Sequence, residues 1–116
     1  MSDNKTTIDE LRLIVESFVD ERDWKQFHSP KNLAMSLAVE VAELMELFQW
    51  LSLDQAREAM KAGDIRENAM DEIADIVIYT LAFCNRNNID ISFPILIYHP
   101  NTGYDHRSKI LTNHSS

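Results

Sequence analysis

"LAVEVAELMELFQW", residues 37–50, decides how the rest of the chain is read. Leu37, Leu44 and Leu47 follow Leu33 at helical spacing, which predicts a helix with one apolar face. Glu40 and Glu43 lie one turn apart on that same face, pointing toward the core instead of away from it. An unpartnered carboxylate in such a place is costly, so each acid must meet a basic group, a proton or a cation.

A later segment repeats the pattern. In "DEIADIVIYTLAFC", residues 71–84, Glu72 and Asp75 are again three residues apart, and Asp75 is the only charge between Ile73 and Cys84. No Lys or Arg occurs between residues 32 and 56, so salt bridges within the first helix are a poor account of its acids. Shared protons would satisfy one pair. Two pairs brought together by antiparallel helix packing more readily satisfy a hard, oxygen-seeking divalent cation, with Mg²⁺ the leading candidate. A di-iron bundle needs Glu-x-x-His, and neither Glu40 nor Glu72 has a His three residues on. The absence of histidine from both segments also counts against zinc. Glu46, Glu67 and Asp71 are expected to be surface acids.

The surrounding chain predicts an all-α protein, a bundle of four to five helices. Glycine occurs only at 63 and 103, and Pro30 is the only proline before residue 88. "TIDE" gives a capping box from Thr7 to Glu10, opening a helix to about Glu21 with Leu11, Ile14, Val15 and Phe18 inward. Ser29 and Pro30 start the second helix, expected to reach about Trp50. Ser52 and Gln55 open a short third helix ending near Gly63, and the fourth runs from about Ile65 to Asn87. The fourth is apolar on nearly every side between residues 73 and 84, which predicts burial in the bundle or at a subunit interface. Beyond Asn88 a short helix and an extended segment are both compatible with the pattern. The last ten or so residues are expected to lack fixed structure.

At 116 residues the chain is read as one domain, residues 1–116, small enough that oligomerisation adds much of its buried area. Its 45% hydrophobic and 26% charged residues are ordinary for a soluble protein, and no apolar run approaches the roughly 20 residues of a membrane span. "MSDNKTTIDE" lacks a secretory pattern, so a cytoplasmic protein is expected. The lone Cys84 is expected to be a packed thiol, not a nucleophile. The net charge of −8 argues against binding a nucleic-acid polymer, which requires Lys and Arg against phosphates. A small phosphorylated ligand remains compatible, because a bound divalent cation reverses the local sign of a carboxylate-lined site.

Glu40-x-x-Glu43 followed by Glu72-x-x-Asp75 resembles the metal motif of the MazG-like all-α nucleoside triphosphate pyrophosphohydrolases. "ERDWKQFHSPKNLAMSLAVEVAELMELFQW" and "DEIADIVIYTLAF" resemble the branch containing the dCTP pyrophosphatases, and the match covers roughly residues 7–92. The resemblance implies Mg²⁺-dependent cleavage of a (deoxy)nucleoside triphosphate between its α and β phosphates, giving monophosphate and pyrophosphate. dCTP or a related, modified deoxynucleotide is the expected substrate, in a house-cleaning role. It further implies that Glu40, Glu43, Glu72 and Asp75 are catalytic metal ligands, and that Trp24, His28, Trp50 and Tyr79 bind the nucleotide. A homodimer or a dimer of dimers is expected. Phe27 and Phe48 are read as core residues.

Residues 93–116 depart from the family. The usual helix with its Lys, Asn and Arg/Lys-Tyr-Pro ending is not reproduced in "ISFPILIYHPNTGYDHRSKILTNHSS", residues 91–116. Lys31, Arg22 or a neighbouring subunit are then the expected phosphate contacts. The competing reading is a catalytically weak or silent helical module that binds nucleotides or a partner.

Overall fold

In the computed structural model, which describes residues 2–97, the chain is all-helical as the sequence predicts. The helices are α1 (Ile8–Glu21), α2 (Pro30–Glu46), α3 (Leu53–Ala59), α4 (Asp64–Asn87) and α5 (Ser92–Ile97). A 3₁₀ turn at Lys25–Phe27 joins α1 to α2. Of the two alternatives for the segment after Asn88, the short helix forms. The expected unstructured end, with Arg107 and Lys109, lies outside the described residues.

The caps explain the helix starts. The Glu10 backbone N–H donates to Thr7 Oγ1 at 3.1 Å, while Glu10 Oε1 accepts from the Thr7 backbone N–H at 3.5 Å, completing a capping box. Ser29 Oγ accepts from the Asn32 N–H at 3.1 Å, and Pro30 occupies the first turn, where its missing N–H leaves nothing unpaired. A second capping box joins Ser52 and Gln55. Gly63, with φ +102° and ψ −167°, turns the chain into α4 through a conformation that L side chains rarely adopt. Asn88 closes α4 in the left-handed conformation, with φ +55°.

Two boundaries differ from the sequence reading. Helix α2 ends at Glu46, not Trp50, because its final residues tighten into turns: the Phe48 and Gln49 N–H groups both donate to the Met45 carbonyl at 3.0 Å. The chain must leave helical geometry there to reach the extended Ser52 cap, at φ −70° and ψ 168°. Helix α3 likewise stops at Ala59, and turns lead to Gly63.

Helix α4 is the central element, with α2 and α1 packed on it. Val15, Val19, Leu33, Leu81 and Ala82 form the core, and Leu11, Tyr79 and Phe83 pack against them. Leu33 is 1% exposed. The buried stripe of α1 is rotated from the expected one: Val19 goes inside, while Ile14 and Phe18 remain partly open. Cys84 is buried, as expected of a packed thiol. Arg12 fixes α1 to the end of α4, since its Nε donates to Asn85 Oδ1 and its terminal nitrogen to the Ile89 carbonyl, both at 2.8 Å. Asn85 returns a bond to the Arg12 carbonyl at 3.0 Å. This clip positions the C-terminal part of α1 beside Tyr79 and Ala82, where a cavity opens.

The outer faces of α2 and α4 remain apolar and uncovered. Met35, Val39 and Met45 on α2, and Met70, Ile73 and Val77 on α4, are exposed at helical spacing. No helix among the described residues is long and apolar enough to cross a membrane.

Candidate functional site

The facing sides of α2 and α4 bring Glu40, Glu43 and Glu72 together, each offering one carboxylate oxygen within 4.8 Å of the others. Glu40 and Glu72 are half-buried on the inward stripes, whereas Glu43 is exposed at the rim. One oxygen of Glu40 and one of Glu72, both Oε2, are buried without a hydrogen-bond partner. Such orphans are rare in folded proteins, and a cation would satisfy them.

The electrostatics carry the same message. Glu72 is pushed up to about 7, first by its hydrogen-bonding contact with Glu40, then by desolvation, and then by its contact with Glu43. For Glu40, the contact with Glu72 pulls the carboxyl down, but desolvation and the charges of Glu43 and Asp75 outweigh it and the net direction is upward. Two carboxyl groups at this distance share a proton when no cation is present.

Asp75 stands outside the three-acid cluster but, with Glu40, lines the adjoining cavity. This cavity, of about 200 Å³, is lined by residues of α1, α2, α4 and the 3₁₀ turn. Trp24 and His28 flank the turn and enter it, and Tyr79 comes from α4. Trp50 does not line it: the early end of α2 leaves this side chain 87% exposed.

Phe18 and Val19 also line the cavity, although the sequence marked Phe18 only as part of a helix stripe and did not single out Val19. Phe18 meets Trp24 edge to face with 5.4 Å between ring centroids, and Trp24 lies 6.5 Å from the His28 ring. Behind this wall the Arg22 guanidinium sits 3.5 Å from the Phe18 ring centre and donates to the Phe18 carbonyl at 3.3 Å. Arg22 is thereby committed to the aromatic wall. Lys31, the other chain-internal cation expected at phosphates, is exposed in the first turn of α2.

His28 is held toward its neutral form, chiefly by burial and secondarily by the charge of Arg86, with Glu16 opposing. Its Nδ1 is buried and makes no hydrogen bond. Phe27, expected in the core, is exposed, because the 3₁₀ turn directs the side chains of Trp24 and His28 inward instead.

An all-α fold with a carboxylate cluster beside an aromatic cavity is thus the class that helices and site define. The model of the MazG-like family matches residues 35–96, and the chain belongs to that family. It is 40% identical over 87 residues to dCTP pyrophosphatase 1 of Rattus norvegicus, covering 73% of this chain and 50% of the relative. The dCTP pyrophosphatase 1 of Homo sapiens is 37% identical over 92 residues, covering 78% of this chain and 53% of that protein. The chain therefore spans about half the length of the curated relatives it matches. A pyrophosphatase from Archaeoglobus fulgidus, known from its crystal structure, superposes with a TM-score of 0.72 at 32% identity, covering 99% of this chain and 95% of that one.

Proposed function

We propose that this chain is a Mg²⁺-dependent nucleotide pyrophosphohydrolase that splits a (deoxy)nucleoside triphosphate between its α and β phosphates, with dCTP or a modified relative as substrate. The observation that carries the reading is the pairing of orphaned carboxylate oxygens on Glu40 and Glu72 with an adjoining aromatic cavity. The dCTP pyrophosphatase relatives support the same choice of substrate.

The donor set fits a hard divalent cation, because every candidate ligand is a carboxylate oxygen. Glu40, Glu43 and Glu72 would hold the ion, with Asp75 completing the set from α4. Bound there, the ion would neutralise triphosphate charge and make a water more acidic. Without the ion Glu72, raised to about 7, is partly protonated near neutral pH, and a cation bound there would favour its ionised form. One acid of the cluster orients or deprotonates the attacking water.

The cavity is smaller than the roughly 300–1,000 Å³ pockets that enclose whole drug-sized ligands, so it suits a base with part of its sugar. Phe18 and Trp24 offer aromatic faces for stacking, and the His28 ring, which lines the same cavity, would read a base edge. Tyr79 lines the same cavity and would lie near the nucleotide. Trp50 joins this pocket through assembly. We accordingly propose a homodimer or dimer of dimers, supported by the uncovered apolar faces of α2 and α4. The proposed protein is a single cytoplasmic domain serving nucleotide-pool house-cleaning.

Incubating the purified chain with each triphosphate and Mg²⁺, and separating the products, tests this directly. Monophosphate plus pyrophosphate, fastest from a cytosine deoxynucleotide, is the expected result. Binding without product on every triphosphate would instead favour a silent nucleotide-binding module.

A further inference from the structure

The pocket wall is carried by a turn that is held by hydrogen bonds, ring contacts and ion pairs instead of by core packing. Residues 22–29 contain no residue among the buried core, and Asp23 adopts a left-handed conformation at φ +54°. Backbone bonds from Trp24 N–H to the Val19 carbonyl, and from His28 N–H to the Lys25 carbonyl, are each 3.1 Å. Short loops of this kind open at low cost unless tied down. A pocket built on one would lose its shape.

Lys25 supplies the tie. Its Nζ lies 2.6 Å from Glu16 Oε1 and 2.8 Å from Asp20 Oδ1, acids on successive turns of α1. Among the described residues, these two ion pairs tie the turn to acids within α1, whereas Arg22–Glu21, at 3.9 Å, joins sequence neighbours at its end. Phe18 and Val19, which line the cavity, sit between the two acids in sequence. The clamp therefore connects both halves of the aromatic wall. Lys25 itself does not line the cavity.

We propose that Lys25 is a positioning residue for the nucleotide pocket: its bridge to Glu16 and Asp20 locks the turn bearing Trp24 and His28 against α1, thereby setting substrate affinity without substrate contact. The kinetic part rests on the pyrophosphohydrolase reading, whereas the structural part does not. A single exposed ion pair contributes little, but one ammonium shared by two carboxylates gains from both and fixes a geometry. One lysine side chain, held by carboxylates on successive turns of α1, fixes where the turn sits.

The test compares Lys25→Met, which keeps the length of the aliphatic stem and removes the charge, with Lys25→Arg, which keeps the charge. Amide hydrogen exchange over residues 23–28 is measured in the full chain, alongside KM and kcat for the best triphosphate. Lys25→Met is expected to speed exchange across this turn and raise KM about three- to tenfold, with kcat within about twofold. Lys25→Arg should restore both. Unchanged exchange in Lys25→Met would overturn the proposal, as would a fall in kcat and melting temperature with KM unmoved. If the wild-type chain turns over no triphosphate, the functional reading fails while the exchange comparison still decides whether Lys25 holds the turn.

Discussion

The two ends of the cavity solve opposite problems. At the aromatic end, nearly every charged group near the turn has a partner: Lys25 holds Glu16 and Asp20, and Arg22 lies over Phe18. At the acidic end, Glu40 and Glu72 crowd one another with buried oxygens unpaired. One end is held in place by internal bonds. The other is crowded with carboxylates, which a shared proton or a cation would relieve. The contrast teaches that charges on α1 and its turn are satisfied internally, whereas the destabilising charges are concentrated between α2 and α4, where the proposed chemistry would occur.

The largest effect is expected from Glu72→Gln, which attacks the crowded end. Removing this carboxylate should lower triphosphate hydrolysis by about 10²–10³-fold, in line with loss of a group stabilising transition-state charge. The same substitution should raise the melting temperature of the metal-free protein at pH 8, because it removes a crowded negative charge. Steady-state kinetics and thermal melting on one preparation read both. A variant that lost activity and stability together would break the contrast.

Trp24→Ala attacks the organised end and should do less. Stacking on an aromatic side chain is worth about 1–3 kcal/mol per base, so KM should rise about fivefold or more while kcat falls little. Kinetics with triphosphates of different bases would check it: KM should rise for each while the ratios between bases change little, since stacking is sequence-tolerant. A smaller change is expected from Trp50→Phe in the isolated subunit, where the side chain is 87% exposed. Its melting temperature should stay within a degree or two, and any effect on KM should depend on protein concentration through assembly. Kinetics across a concentration series would read it.

Much of this contrast was legible in the sequence. Acids at positions 40, 43, 72 and 75 stood on apolar helix faces where a solvated stripe was implausible, and three of them meet in space. Helix number, caps and the central place of α4 followed from local signals at Thr7, Ser29, Ser52 and Gly63. What escaped reading depended on tertiary placement. Nothing local stops α2 at Glu46, since residues 47–50 contain neither glycine nor proline; the need to reach the Ser52 cap does. The Lys25 clamp joins acids nine and five residues away across a left-handed turn, which helix periodicity does not anticipate. Phe18 belonged to the expected stripe, but the rotation of α1 turned it from core residue to pocket wall. Its signal was available in the proximity of Trp24 and Arg22 in the chain.

The central claim is that the carboxylate cluster is strained when empty and relaxed by a divalent cation, and thermal melting against pH tests it most directly. Glu72 lies near 7 in the folded chain against an ordinary 4.5, so between these values the folded state keeps a proton that the unfolded state has released. Stability of the metal-free protein must therefore fall as pH rises through that window and level off above about 7, and Glu40 acts in the same direction. Melting curves at pH 5, 6, 7 and 8, with a chelator and then with excess Mg²⁺, are predicted to show a falling melting temperature without the ion. Mg²⁺ should raise it by about 5 °C or more at pH 8 and by little at pH 5. A flat pH profile without metal, together with no Mg²⁺ effect at pH 8, would contradict the account.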